Sequence, residues 1–380
     1  MKTGPALHLA PLRARQHRAS PLARSALLAY TMLVAYAGLA PWSGWRDLGV
    51  APWAFLMAPV PRHVTVFDVA VNVLGYVPLG ALIVLAAHPR LRGLSAVLLS
   101  TVGGALLAGS VEALQTYLPG RVPSNIDLGI NTLGALAGAV LAAPVAAPLI
   151  DRGRLQQLRA RWFSRDASGL LVLLALWPAA QVSTTPMLFG NGRLLALDEW
   201  AAASDSAPLL GWLGSFATAE FVLAEVLVVA AATLAVGLTL AALCQPNAPR
   251  LRLLVAFFAL ALLVKSFFYA WLFGPAKALA WSTHGALGGL IVGLLALGVA
   301  AHSRRAALLA GALAATAVWL LVVNAVPDNP YHADLIARYR VGRLRHFAAI
   351  ADWLAAAWPL LLLAGLGLLA RRRGGAGRSP

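Results

Sequence analysis

In this 380-residue chain the stretch 110–138 gathers Glu112, Gln115, Arg121, Asp127 and Asn131 between two apolar runs. Two carboxylates near one guanidinium could divide the roles of general acid and general base, provided their surroundings push their pKa values apart. The same groups could instead hold a polar headgroup, or tie helices together by hydrogen bonds. No nucleophile–base pair, phosphate loop or metal-ligand spacing accompanies them. No metal and no cofactor is therefore expected, and whether the chain is an enzyme stays open.

The elements that must position these groups are membrane helices. The chain is 60% hydrophobic and 12% charged, with a mean hydropathy of +0.76; soluble proteins carry about 25% charged residues. Its formal charge of +16 comes from short basic clusters between apolar runs, the pattern of cytoplasmic loops, so nucleic acid is not an expected partner. The lone cysteine, Cys244, excludes an internal disulfide and reads as a small residue at a helix end. Basic residues also precede the apolar run 25–40. Pro41 directly after Ala40 disfavours signal-peptide cleavage there, so the run is read as a retained first helix.

Ten stretches are long enough to cross about 30 Å of hydrocarbon: 25–41, 67–87, 94–113, 128–150, 168–187, 221–243, 253–273, 281–301, 306–326 and 347–370. With the N-terminus inside, cytoplasmic segments hold twenty Lys and Arg against nine in the outer segments, and Lys265 falls within a span. This bias predicts an all-α polytopic bundle with both termini cytoplasmic.

The expected organisation is a basic N-terminal segment 1–24, a four-helix membrane domain 25–150, a basic linker 151–167 and a second four-helix unit 168–301. A C-terminal helix pair 302–370 and a basic tail 371–380 follow. Aromatics around the first outer loop, among them Trp42, Trp45 and Trp53, suit an interfacial belt. The last outer loop, 327–346, carries Arg338, Arg340, Arg343 and Arg345 on the disfavoured side. These read as snorkelling arginines of an interfacial helix, or as a dock for anionic lipid or a lipid-linked phosphate.

In this topology Glu112 lies near the outer end of the third helix with Gln115 one turn further on. Asp127 and Asn131, spaced i,i+4, share a face at the start of the fourth helix, where Asp127 suits the positive end of the dipole. Asp68 and Asn72 repeat that spacing on the second. Arg121, in the tight turn after Leu118-Pro119-Gly120, is the natural counter-charge for Glu112 or Asp127. Gly134 and Gly138 form a GxxxG pattern that allows close helix approach, while Pro78 and Gly80 should kink or loosen the second helix.

These residues resemble the VanZ-like family over roughly Val64 to Ala143. The likeness rests on Asn72-Val-Leu-Gly-Tyr-Val-Pro78-Leu-Gly80, Glu112-x-x-Gln115, Arg121, Asp127, Asn131-Thr-Leu-Gly134 and Gly138; the family's first helix would correspond to 25–41. The resemblance implies a bacterial integral membrane protein of the cytoplasmic membrane, in a family whose founding member is linked to teicoplanin resistance, with no settled mechanism.

The remainder reads as a degenerate parallel copy of the first four helices. Asn72, Glu112 and Asn131 are separated by 40 and 19 residues, as are Glu225, Lys265 and His284, at a common offset of 153. The copy lacks the polar turn, since Gln115, Arg121 and Asp127 map to Phe268, Gly274 and Ala280. Lys265 within a span needs an acidic partner, and Glu225 is the expected one; His284 reads as an intrabundle histidine.

The leading expectation is a cell-envelope protein that binds or processes an amphipathic component at the outer leaflet. Its partners would be membrane lipid and a lipid-linked glycan or lipoglycopeptide, and its pocket Asn72, Glu112, Gln115, Arg121, Asp127 and Asn131. The alternatives are a non-catalytic scaffold and a proton-coupled transporter using Glu225, Lys265 and His284. Neither ligand nor oligomeric state can be read from these residues.

Overall fold

The computed structural model describes residues 20–39, 42, 44–59, 66–152, 154–182, 187–193, 218–325 and 345–376. Its described regular structure is helical: α1 (Pro21–Leu39), α2 (Val66–Ala87), α3 (Leu94–Gln115), α4 (Asn125–Ala142), α5 (Arg154–Trp162), α6 (Ser168–Ala180), α7 (Thr218–Leu243), α8 (Arg250–Phe273), α9 (His284–Ala300), α10 (Arg305–Ala325) and α11 (Arg345–Ala376). Among the described residues seven of these are long and apolar enough to cross a membrane, and three shorter apolar stretches, Asn72–Ala87 within α2, Ser168–Ala180 and His284–Ala300, accompany them. The protein is a helical membrane bundle.

Each of the ten predicted spans contains one helix, but several ends differ. α4 stops at Ala142 rather than 150, because Pro144 and Pro148 interrupt its backbone donors. The basic linker 151–167, expected as a loop, contains α5, a short basic helix. α6 ends at Ala180, seven residues before the predicted boundary. At 1.5 Å per residue it covers only about 20 Å.

Beside its end lies the non-helical segment Met187–Arg193, in which Leu188, Phe189, Gly190 and Asn191 are buried and the Phe189 ring packs against Trp177 of α6. Irregular backbone at membrane depth requires internal hydrogen bonds, and these are present. Asn191 donates to Ala180 O at 3.1 Å and accepts from Gln181 at 3.0 Å. Gly192 N–H donates to Ala355 O at 2.9 Å, and Asn324 donates to Gly192 O at 2.9 Å.

The first unit is built around the close pair α2–α4, with α3 packed on both and α1 on α2 and α3. Glycine makes the approach possible. A Cβ on Gly138 would overlap Val77 O, one on Gly80 would overlap Ala135 O, and one on Gly134 would lie 2.6 Å from Val73 O and 3.0 Å from Tyr76 Cβ. α2 runs unbroken through Pro78.

The second unit has α7 at its centre, in closest contact with α9 and α10. There a Cβ on Gly289 would lie 2.7 Å from both Val226 O and Val229 Cβ, and one on Gly293 would lie 3.1 Å from Ala230 O. Val73, Tyr76 and Val77 thus correspond to Val226, Val229 and Ala230 at the offset 153, and Gly134 and Gly138 to Gly289 and Gly293 at 155. In this register Asn131 corresponds to Ala286, not His284. The third helices do not correspond: α3 packs along α4, whereas α8 packs chiefly on α6, and α10 occupies the flank of α7.

The predicted cytoplasmic loops of the second unit lie together. Ser164 N–H donates to Leu243 O at 2.9 Å and Gln245 N–H to Trp162 O at 2.7 Å. Arg305 reaches Ser164 Oγ at 3.0 Å and Asp166 at 3.3 Å.

Candidate functional site

The candidate polar residues of the first unit converge where α1 and α3 end and α2 and α4 begin. Ser124 caps α4, its hydroxyl accepting Asp127 N–H at 3.4 Å. The backbone N–H of Ser124 donates to Glu112 Oε2 at 2.8 Å, so a carboxylate on α3 grips the start of α4. Asn72 on α2 donates to Asp127 Oδ1 at 3.0 Å. Gln115 donates to Gly38 O on α1 at 2.8 Å. Four helices are therefore joined by three side-chain hydrogen bonds from residues singled out in the sequence.

Arg121 lies in the α3–α4 turn within Coulomb range of Glu112, as expected, and Asp127 lies within range of Glu112 as well. Burial of the Arg121 guanidinium pulls its pKa down, and the Glu112 charge pulls it back up. If all three are ionised, the cluster carries two negative charges against one positive.

Asn131 lies one turn deeper than Asp127 on the same face of α4. It is buried, and its Oδ1 has no hydrogen-bond partner among the described residues. Tyr76, one turn deeper than Asn72 on α2, is buried against Gly134 and within Coulomb range of Glu112. Tyr76 and Ser124 carry weight that the spacing argument did not assign. Ser124-x-x-Asp127 is a readable capping pattern, whereas Tyr76 is one of several aromatics in an apolar run. The loop between α1 and α2 closes on the cluster: Asn125 donates to Ala58 O at 2.8 Å, and Arg46 N–H donates to Tyr117 O at 3.0 Å.

A second cluster lies near the same end of the bundle, reached across α1. Lys265 on α8 is 2% exposed, with Nζ 4.8 Å from the centre of the Tyr269 ring. The carboxylate whose charge acts on Lys265 is Asp352 on α11, which also lies within Coulomb range of Tyr269 and of Tyr36 on α1. Glu225 is thus not the partner of Lys265; it lies on α7, whose main contacts are with α9 and α10. Asp352 is the one acidic residue in the last apolar run, and its rarity there was the available signal. His284 opens α9 with its side chain exposed, so it is not an intrabundle histidine. Arg338, Arg340 and Arg343 lie outside the described residues, as does the side chain of Arg345. No group of three or more His, Cys, Asp or Glu able to hold a metal occurs among the described residues.

Residues 18–147 match the model of the VanZ/LLP1 family. This segment contains α1–α4 and the whole first cluster, so the first third of the chain is a VanZ-like domain. No curated protein matches the chain, and no solved structure does.

Proposed function

We propose that the VanZ-like domain binds the polar head of an amphipathic or lipid-linked component of the bacterial cell envelope, at the outer leaflet of the cytoplasmic membrane. The observation that carries this reading is the buried Asn131 Oδ1, an acceptor with no donor among the described residues. A buried unsatisfied acceptor costs about 1–3 kcal/mol, and a ligand hydroxyl or amide N–H would remove that cost. Lipid-linked glycans and lipoglycopeptides are rich in such donors. Binding is favoured over processing because Glu112 and Asp127 each already accept a fixed donor, from Ser124 and Asn72.

The same hydrogen bonds favour a second reading, a scaffold in which the cluster only locks helices. Asn131→Leu separates the two. In a scaffold, replacing an unsatisfied acceptor by an apolar side chain leaves stability and function intact or improved. In a binding site it weakens association with a fluorescent lipid-linked disaccharide or with teicoplanin by about tenfold or more, roughly 1.4 kcal/mol, without lowering the melting temperature in nanodiscs. Unchanged affinity for ligands that bind the native protein would overturn the binding reading.

A further inference from the structure

The glycine-lined pair α7–α9 carries a polar group of its own near the same end as the first cluster. Glu225, two turns into α7, is 3% exposed. Its carboxylate lies on Gly285: a Cβ built there would come within 2.9 Å of Glu225 Cδ and closer still to Oε2. The Thr283 hydroxyl is its hydrogen-bonding neighbour, and that hydroxyl also accepts Ala286 N–H at 3.0 Å as the cap of α9. Glu225 Oε1 is buried with no hydrogen-bond partner among the described residues.

Among the described residues, the titratable groups on the surrounding helices leave this carboxylate uncompensated. α9 offers His284 and the loop before it Lys277, both exposed. α8 offers Lys265 and Tyr269, which face Asp352, and Arg250 and Arg252 at its far end. α10 has Arg305 at its far end, α6 has none, and α7 adds only Glu220. None of these forms an ion pair with Glu225 among the described residues.

An ionised carboxylate buried without a counter-ion costs several kcal/mol, and a group in that position neutralises by taking a proton. We infer that Glu225 is an exchangeable intramembrane proton-binding site, with Gly285 supplying the room for the carboxyl group and Thr283 a polar wall. The reaction is a simple protonation: carboxylate plus a proton from water gives the carboxylic acid, and no other bond changes. Glu225 stands at the position of Asn72 in the first unit, where the carboxylate sits on the opposite helix, as Asp127, and Asn72 satisfies it. This inference stands independently of the ligand proposed for α1–α4.

The test is an acid-minus-alkaline infrared difference spectrum of the full chain in lipid nanodiscs. The expected result is a carboxylic C=O band that grows as pH falls and, above its midpoint, loses about tenfold in amplitude per pH unit. The band should vanish in Glu225→Gln, shift in frequency in Glu225→Asp, and change midpoint in Gly285→Ala, whose methyl group would press on the carboxyl. Should Glu225→Gln fail to fold, the frequency in Glu225→Asp decides. No pH-dependent band in the native protein, an unaltered band in either Glu225 variant, or its suppression by sodium at constant pH would overturn the inference, the last by marking a metal-cation site.

Discussion

At the scale of single residues, the polar groups of this bundle differ in what holds them. Asn72 and Asp127 satisfy one another across α2 and α4, and hydrogen bonds between membrane helices are worth about 0.6–1.7 kcal/mol. Asn72→Ala and Asp127→Asn should therefore show that coupling in a double-mutant cycle read from melting temperatures in detergent; strictly additive effects would rule the contact out. Lys265 and Asp352 form a costlier pair. Lys265→Met leaves a carboxylate without its cation and should destabilise by about 3–5 kcal/mol, whereas adding Asp352→Leu should recover most of the loss. Glu225→Gln added to Lys265→Met should recover none, which separates this partner from the one expected on sequence spacing. That spacing named Lys265 as costly because a charge in a span is costly anywhere. It named the wrong partner because 40 residues of chain say nothing about which helix lies opposite.

At the scale of elements, two helix pairs meet on glycine in the same way. Gly138 lies on Val77 O and Gly293 on Ala230, with no room for a side chain at either position. Gly138→Val and Gly293→Val should each lower stability by about 1–3 kcal/mol. Gly129→Val, where a Cβ meets nothing within 4 Å, should be close to neutral by the same thermal assay; equal losses at all three positions would contradict the packing. The GxxxG pattern marked the first pair from spacing alone. The second was hidden because its glycines sit two residues off the offset that aligns α2 with α7, and a single rigid offset cannot follow a change in the length of the intervening segment. α6 shows a different limit. The span predicted to reach 187 takes in the more polar stretch after Ala180, and hydropathy does not separate the end of a helix from the buried irregular segment Met187–Arg193, whose backbone is satisfied by Asn191, Asn324 and Ala355.

At the scale of the whole molecule, both polar clusters and Glu225 lie near one end of the bundle, while the ordered basic loops lie at the other. Charge bias predicts the polar end to be outside. Single cysteines at exposed Gly120 and Ser303 test this: an impermeant maleimide added to cells should label Gly120→Cys, and should label Ser303→Cys only after the membrane is opened. Labelling in the reverse order would invert the topology. Native Cys244 should stay silent in both. It is buried, and burial pushes its thiol up to about 11 against the opposing pull of Arg250. The reactive thiolate therefore appears only as pH climbs toward that value, well above labelling conditions.

The chain's own residues determined that it is a helical membrane bundle, roughly where each helix runs, and which polar positions are expensive enough to matter. Apolar length, charge rarity and glycine spacing are local properties, and the bilayer converts them directly into helices and costs. Only the tertiary structure decided which costs are met and by whom. It joined Glu112 to the backbone N–H of Ser124, placed Asp352 opposite Lys265, buried a non-helical segment behind α6, and left Asn131 Oδ1 and Glu225 Oε1 without hydrogen-bond partners among the described residues. Those outcomes depend on which helices become neighbours, and neighbours are chosen by packing across the whole bundle.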